Sequence, residues 1–138
     1  RPELRDEPMT DIMSEAFGRE IVARSSFSKE AIWLPILAVH TMNAGELVIR
    51  GKTFTDCVIE GPALVAVLKG TTFDGCNMGA ASDPRSMLFE SKGPRLVGAI
   101  GLEDCTFVRC RFVQIGYTGS SAFLEGMSET LLHAGRAD

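Results

Sequence analysis

The sequence predicts an all-β fold, a short and irregular parallel β-helix of about three coils with a capping helix at each end. Three observations predict it. From Gly45 to Gly119 the chain runs in short stretches of Val, Ile, Phe and Leu punctuated by Gly, Pro, Asn and Asp, the signal of many short strands joined by tight turns. All four cysteines share one context, a large apolar residue three before and another two after: Phe54/Cys57/Ile59, Phe73/Cys76/Met78, Leu102/Cys105/Phe107 and Phe107/Cys110/Phe112. A longer pattern, Gly-Pro followed by an apolar run and a cysteine segment, runs from Gly61 to Cys76 and again from Gly93 to Cys105.

The elements follow in order within one domain spanning residues 1–138: an N-terminal helix and cap over 1–40, the β-helix over 45–119 and a C-terminal helix over 120–138. Met9, Ile12, Met13, Phe17 and Ile21 recur at helical spacing, so a helix is read over Thr10–Arg24 with Thr10 or Asp11 as its cap. The segment Phe27–His40 reads two ways, because Ser28-Lys-Glu suits a helix start while Pro35 and the β-branched content suit a strand. Ala122, Phe123, Met127, Leu131 and Leu132 recur at helical spacing after Ser120 or Ser121, and Gly135 is the expected stop.

A finer period appears near the end of the strand region. Pairs of residues two apart recur every five positions: Ile100/Leu102, Cys105/Phe107, Cys110/Phe112, Ile115/Tyr117 and Ser120/Ala122. Residues two apart on an extended segment share a face, so each pair can point inward while Glu103, Asp104, Arg109, Arg111 and Gln114 face water. This phase resembles the pentapeptide-repeat proteins, whose small and large interior positions match Cys105 with Phe107, Cys110 with Phe112, Cys57 with Ile59 and Cys76 with Met78. The resemblance covers about residues 100–117; Lys52 departs from it at the small position before Phe54, and Val67 and Lys69 break the phase. It implies a right-handed winding and an interior ladder of Phe54, Cys57, Ile59, Phe73, Cys76, Met78, Leu102, Cys105, Phe107, Cys110, Phe112 and Ile115.

Composition narrows function more than it identifies it. The 138 residues are 45% hydrophobic and 23% charged with a net charge of −4, so neither a nucleic acid nor an anionic membrane is an expected partner. The longest apolar run, Ala31–Val39, is interrupted by Pro35 and is far shorter than the ~20 residues of a membrane span. None of the cysteines forms a CxxC pair, so reduced, buried thiols are expected in place of a zinc site or disulfides. Cytoplasmic location is the default expectation.

Asp56, Asp74 and Asp104 sit in or beside the turns that precede cysteine strands, where turn chemistry is the first reading and a carboxylate row for a cation or for acid and base catalysis the second. His40 follows an apolar run and is the one candidate base in the N-terminal half; no nucleophile motif accompanies it. No catalytic residue, cofactor or metal is assigned. The expected function is a non-enzymatic scaffold or protein-protein interaction module that self-associates, because a solenoid this short buries little core. Two alternatives stand beside it: a DNA-mimic inhibitor of a nucleic-acid enzyme, which the resemblance suggests, and a small carbohydrate-active β-helix enzyme.

Overall fold

The structure, a computed structural model, describes residues 11–79, 83–93 and 97–136. The chain builds α1 (Glu15–Ala23), β1 (Ser26–Ser28), β2 (Ala31–Trp33), α2 (Leu34–Asn43), β3 (Val48–Arg50), β4 (Thr53–Thr55), β5 (Val58–Val67), β6 (Thr72–Asp74), β7 (Ile100–Glu103), β8 (Thr106–Val108), β9 (Arg111–Thr118) and α3 (Ser121–Arg136). Thr10 and Met9 lie outside the described residues. The cap of α1 is Ser14, whose Oγ accepts from the Phe17 amide at 3.1 Å, while Asp11 instead closes a turn onto the Met13 amide. Ser120 caps α3 through the Phe123 amide, and that helix runs through Gly135. The ambiguous segment Phe27–His40 holds both structures: two short strands, then a helix with Pro35 in its first turn, where a missing N–H costs nothing.

The strands form two parallel sheets. One has the order β1-β4-β8-β6; the other runs β2-β5-β7-β3, with β9 added against β5. Register is set by one large residue per short strand. Phe27, Phe54, Phe107 and Phe73 lie opposite one another across the first sheet, and their rings stack at centroid separations of 4.9, 4.7 and 5.2 Å, within 8° of parallel. Ile32, Ile59 and Phe112 align in the second sheet, as do Ile49, Leu102 and Val67. Of the expected interior set, Phe54, Cys57, Ile59, Leu102, Cys105, Phe107, Cys110, Phe112, Ile115 and Met78 are buried; Phe73 and Cys76 are half-buried against them.

The all-β right-handed β-helix of about three stacked coils is corrected by this architecture. The molecule is an α/β fold, with three helices and nine strands in two parallel sheets among the described residues. The passes of the chain do not stack in sequence order. β8 lies between β4 and β6, and β7 lies between β3 and the end of β5, so the segment 100–118 is interleaved with the earlier passes. The second Gly-Pro copy is not a strand at its described residues 97–99. The first lies inside β5, whereas Val97 is 94% exposed in a turn with Gly98 at φ 98°, and Pro94 to Leu96 lie outside the described residues. Inward-facing pairs two residues apart report short strands with one buried face; they carry no information about which pass becomes whose neighbour.

Interleaving makes residues 100–118 the element that joins the others. Without it, β3 has no partner, β4 and β6 do not touch, and only the three-residue pairings β1–β4 and β2–β5 remain. Such isolated pairs are marginal. A fragment ending at residue 97 is therefore expected to show no cooperative urea transition by circular dichroism, where a stack wound in sequence order would keep one.

Candidate functional site

Each strand of the first sheet leads to the second through a single residue in the left-handed region. Lys29, Asp56 and Arg109 occupy this corner at φ 56°, 55° and 51°, and Gly75 occupies it at 65° in the remaining pass. A second corner is made by Gly51, Asp104 and Gly70, at φ 69°, 54° and 78°. Asp and Gly tolerate this conformation better than most residues. The candidate carboxylates are thus separated. Asp56 sits in one corner, bridged to Arg109 through Oδ1–Nε at 2.8 Å and Oδ2–Nη2 at 3.2 Å; Asp104 sits in the other; Asp74 precedes its corner and offers its backbone carbonyl to the Arg109 amide at 2.8 Å. Arg109 holds the Asp56 carboxyl below its usual range. They form no carboxylate row, and no group of three or more His, Cys, Asp or Glu among the described residues is placed to hold a metal ion.

The cysteine after a corner fills the small interior slot, and its thiol serves the backbone there. The Cys110 thiol donates to the Phe54 carbonyl at 3.3 Å, and the Cys76 thiol donates to Phe107 at 3.3 Å. Cys105 donates to Ile49 at 3.5 Å. A thiol is small enough for the slot and polar enough for the carbonyl. The four cysteines do not form one column, however. Cys57, Cys110 and Cys76 align in one, whereas Cys105 aligns with Lys52 and Thr71 in another, as the register of the adjoining strands shows.

Lys52, the residue that breaks the sequence pattern, is buried in that second column. Its Nζ donates to the carbonyls of Val22 at 2.7 Å and of Arg24 at 2.5 Å, the exposed acceptors at the C-terminal end of α1, where a cation is favoured. Burial lowers its pKa below the ordinary lysine value. Sequence reasoning missed this role; the signal was a lysine at a position reserved for a small apolar residue.

His40 is a packing residue. It is buried, its Nε2 lies 2.7 Å from the Ile12 carbonyl, and its ring meets Phe17 edge-on at 5.8 Å. Its Nδ1 faces Gly18, where a Cβ would stand only 2.4 Å away. This contact joins α1 to α2 and leaves no nucleophile within its reach among the contacts described.

A cleft lies on the outer face of β9. It measures about 720 Å³ and is lined by Arg111, Val113 and Gln114, with Asn77 and Ser86 at its rim and Leu64, Met87 and Phe89 among its apolar walls. A bulge shapes it: Gly61 and Pro62 of β5 stand opposite the single residue Gln114 of β9. Gly61 is required there, since a Cβ would lie 2.1 Å from the Gln114 carbonyl oxygen. Met87 to Phe89 add one more extended segment along β9, bonded through Tyr117 N to Met87 O at 2.8 Å and Phe89 N to Tyr117 O at 2.9 Å. Phe89 rests over Gly116, where a Cβ would meet its ring at 2.9 Å. Arg111 makes no ion pair among the described residues, leaving a guanidinium beside an apolar trough. No histidine, cysteine or carboxylate lines it among the described residues.

A scan against protein-family models, a search of curated proteins and a search of solved structures each find no match to this chain. No helix among the described residues is long and apolar enough to cross a membrane.

Burial gives the interior a defined alkaline response. Desolvation pushes the Cys110 thiol up to about 11 and raises that of Cys105. A thiol that keeps its proton longer when folded than when unfolded contributes fully below the unfolded value of 9.0, and that contribution falls as pH climbs toward 11. Lys52 acts in the opposite sense: its folded pKa lies below 10.5, so its contribution rises with pH toward that value. Urea unfolding from neutral pH to about pH 10 should show a shallower alkaline loss in Cys110→Ala and a steeper one in Lys52→Met than in the unaltered chain.

Proposed function

We propose that this protein is a non-enzymatic interaction module that binds an extended peptide segment of a protein partner in the cleft over β9. The observation that carries the reading is the Arg111 guanidinium, unpaired among the described residues, set in a trough walled by Leu64, Met87 and Phe89. Its volume falls within the usual range of binding sites, ~300–1,000 Å³. A carboxylate would meet Arg111 through paired hydrogen bonds, and flanking apolar side chains would cover Met87 and Phe89. The preferred segment is therefore acidic with large apolar neighbours.

Both alternatives are less well supported. A nucleic-acid mimic needs uncompensated rows of carboxylates, yet Glu103 is bridged to Arg50 at 2.7 Å and lies 3.8 Å from Lys69, and Asp56 is bridged to Arg109. Glycoside hydrolysis needs two facing carboxyl groups, and the cleft lining contains none among the described residues. Four free cysteines, which suit a reducing compartment, support the default reading of a cytoplasmic location.

Selection from a phage-displayed random heptapeptide library is expected to enrich sequences with Asp or Glu beside Leu, Phe or Met. Arg111→Glu should weaken the enriched peptides by about tenfold or more. No enrichment, or peptides that bind Arg111→Glu equally well, would remove the cleft reading.

Self-association is a second reading, favoured by the exposure of Val39, Met42 and Leu47 at 42%, 62% and 85%. Val39 and Met42 lie three apart on α2 and so share one side of that helix. Light scattering coupled to size exclusion should give a mass above 14.9 kDa that returns to the monomer value in Met42→Glu. A monomer at every concentration would exclude it.

A further inference from the structure

Cys76 and Cys110 stand on neighbouring parallel passes in matching positions, because Asn77 pairs with Arg111 directly after them. The Cys110 amide donates to the Cys76 sulfur at 3.4 Å, and the Asn77 amide donates to the Cys110 carbonyl at 2.8 Å. Neighbouring strands place matched Cα atoms roughly 4.8 Å apart, inside the range of about 4.4–6.8 Å over which disulfides close. The two thiols differ in access. Cys110 is buried, whereas Cys76 is half-exposed and lines a cleft of about 430 Å³ between β6 and α3, together with Phe73, Met78, Phe123 and Met127.

We propose that Cys76 and Cys110 form a peroxide-reactive dithiol, with Cys76 the attacking and Cys110 the resolving thiol. Cys76 gives up its thiol proton as its sulfur attacks one oxygen of hydrogen peroxide or a small alkyl hydroperoxide; the O–O bond breaks, the departing hydroxide or alkoxide takes that proton and leaves as water or the alcohol, and Cys76 is left as its sulfenic acid. Cys110 then attacks the Cys76 sulfur. The S–O bond breaks, the S–S bond forms, and the departing hydroxide takes the Cys110 proton as water. Two thiols lose two electrons in total and one peroxide gains them.

The structure supplies each part of this sequence. The backbone N–H of Cys110 points at the Cys76 sulfur and holds it beside the start of β9. Phe73, Phe123 and the methionines give the cleft an apolar lining suited to a small organic hydroperoxide. Cys57 also adjoins Cys110, but it is only 1% exposed and lies on the far side from the cleft. Cys105 belongs to the other column and is fully buried. The product would tie the β6 pass covalently to the start of β9, two segments that are otherwise joined only by hydrogen bonds and packing.

The test treats the reduced, full chain with hydrogen peroxide and, separately, with cumene hydroperoxide, blocks remaining thiols with iodoacetamide, and maps peptides without reductant. A Cys76–Cys110 peptide, about 2 Da lighter than the two reduced peptides together, is expected from either oxidant. Cys57→Ala should retain it. Cys110→Ala should leave Cys76 as a sulfenic acid that dimedone captures, which separates loss of the resolving thiol from loss of the fold. A Cys57–Cys110 product, oxidation of Cys76 to sulfinic acid without a disulfide in the unaltered chain, or no oxidation at all would each overturn the assignment.

Discussion

Four phenylalanine rings stacked across a parallel sheet set the constraint on which the rest of the molecule depends. Phe27, Phe54, Phe107 and Phe73 come from passes separated by tens of residues, yet each must meet its neighbour in register for the rings to lie within 8° of parallel. Stacked aromatic pairs add about 0.5–1.5 kcal/mol each beyond the burial of their area, so the three contacts contribute on the order of 2–4 kcal/mol. A shift of one residue would turn every ring to the other face. The ladder is terminated from both sides: the Arg24 guanidinium lies 4.2 Å from the centre of the Phe27 ring, and Phe123 of α3 meets Phe73 at 6.3 Å. Both helices are therefore tied to the same column.

Once the rings are aligned, the corners align as well. Lys29, Asp56, Arg109 and Gly75 fall one residue beyond their phenylalanine strands and all enter the left-handed region. Cys57, Cys110 and Cys76 fall one further and become neighbours. The dithiol is a consequence of this stacking, because cysteines 34 residues apart in the chain reach each other only through the register that the rings impose. The same register aligns Lys52 with Cys105, and there the fold uses the departure. A buried ammonium would be costly alone, but the carbonyls left open at the end of α1 accept two of its protons and the helix is anchored in return.

The cleft over β9 depends on a local break in this regularity. Two residues of β5 oppose one of β9, the strands bend, and Met87 to Phe89 settle along the far edge above Gly116. Bulges commonly re-aim side chains beside binding sites. Here the break leaves Arg111 and Gln114 facing a trough with no histidine, cysteine or carboxylate among its described residues. The arrangement suits recognition better than bond cleavage.

Short strands, parallel small-large pairs and both terminal helices were legible because each depends on spacing within a few residues. The alternation around Cys105, Phe107, Cys110 and Phe112 determined which side chains would turn inward, and the residue types at Asp56 and Asp104 determined where the chain could take a tight corner. Tertiary structure alone decided the order of the passes, and with it the change from a sequential β-helix to two interleaved parallel sheets with three helices. Periodicity is a property of one strand, whereas neighbour choice is a property of pairs distant in sequence, and equivalent apolar faces fit several neighbours nearly equally well. For the same reason the trough at Arg111 and the meeting of Cys76 with Cys110 were invisible in the chain: each is assembled from residues that share no local pattern.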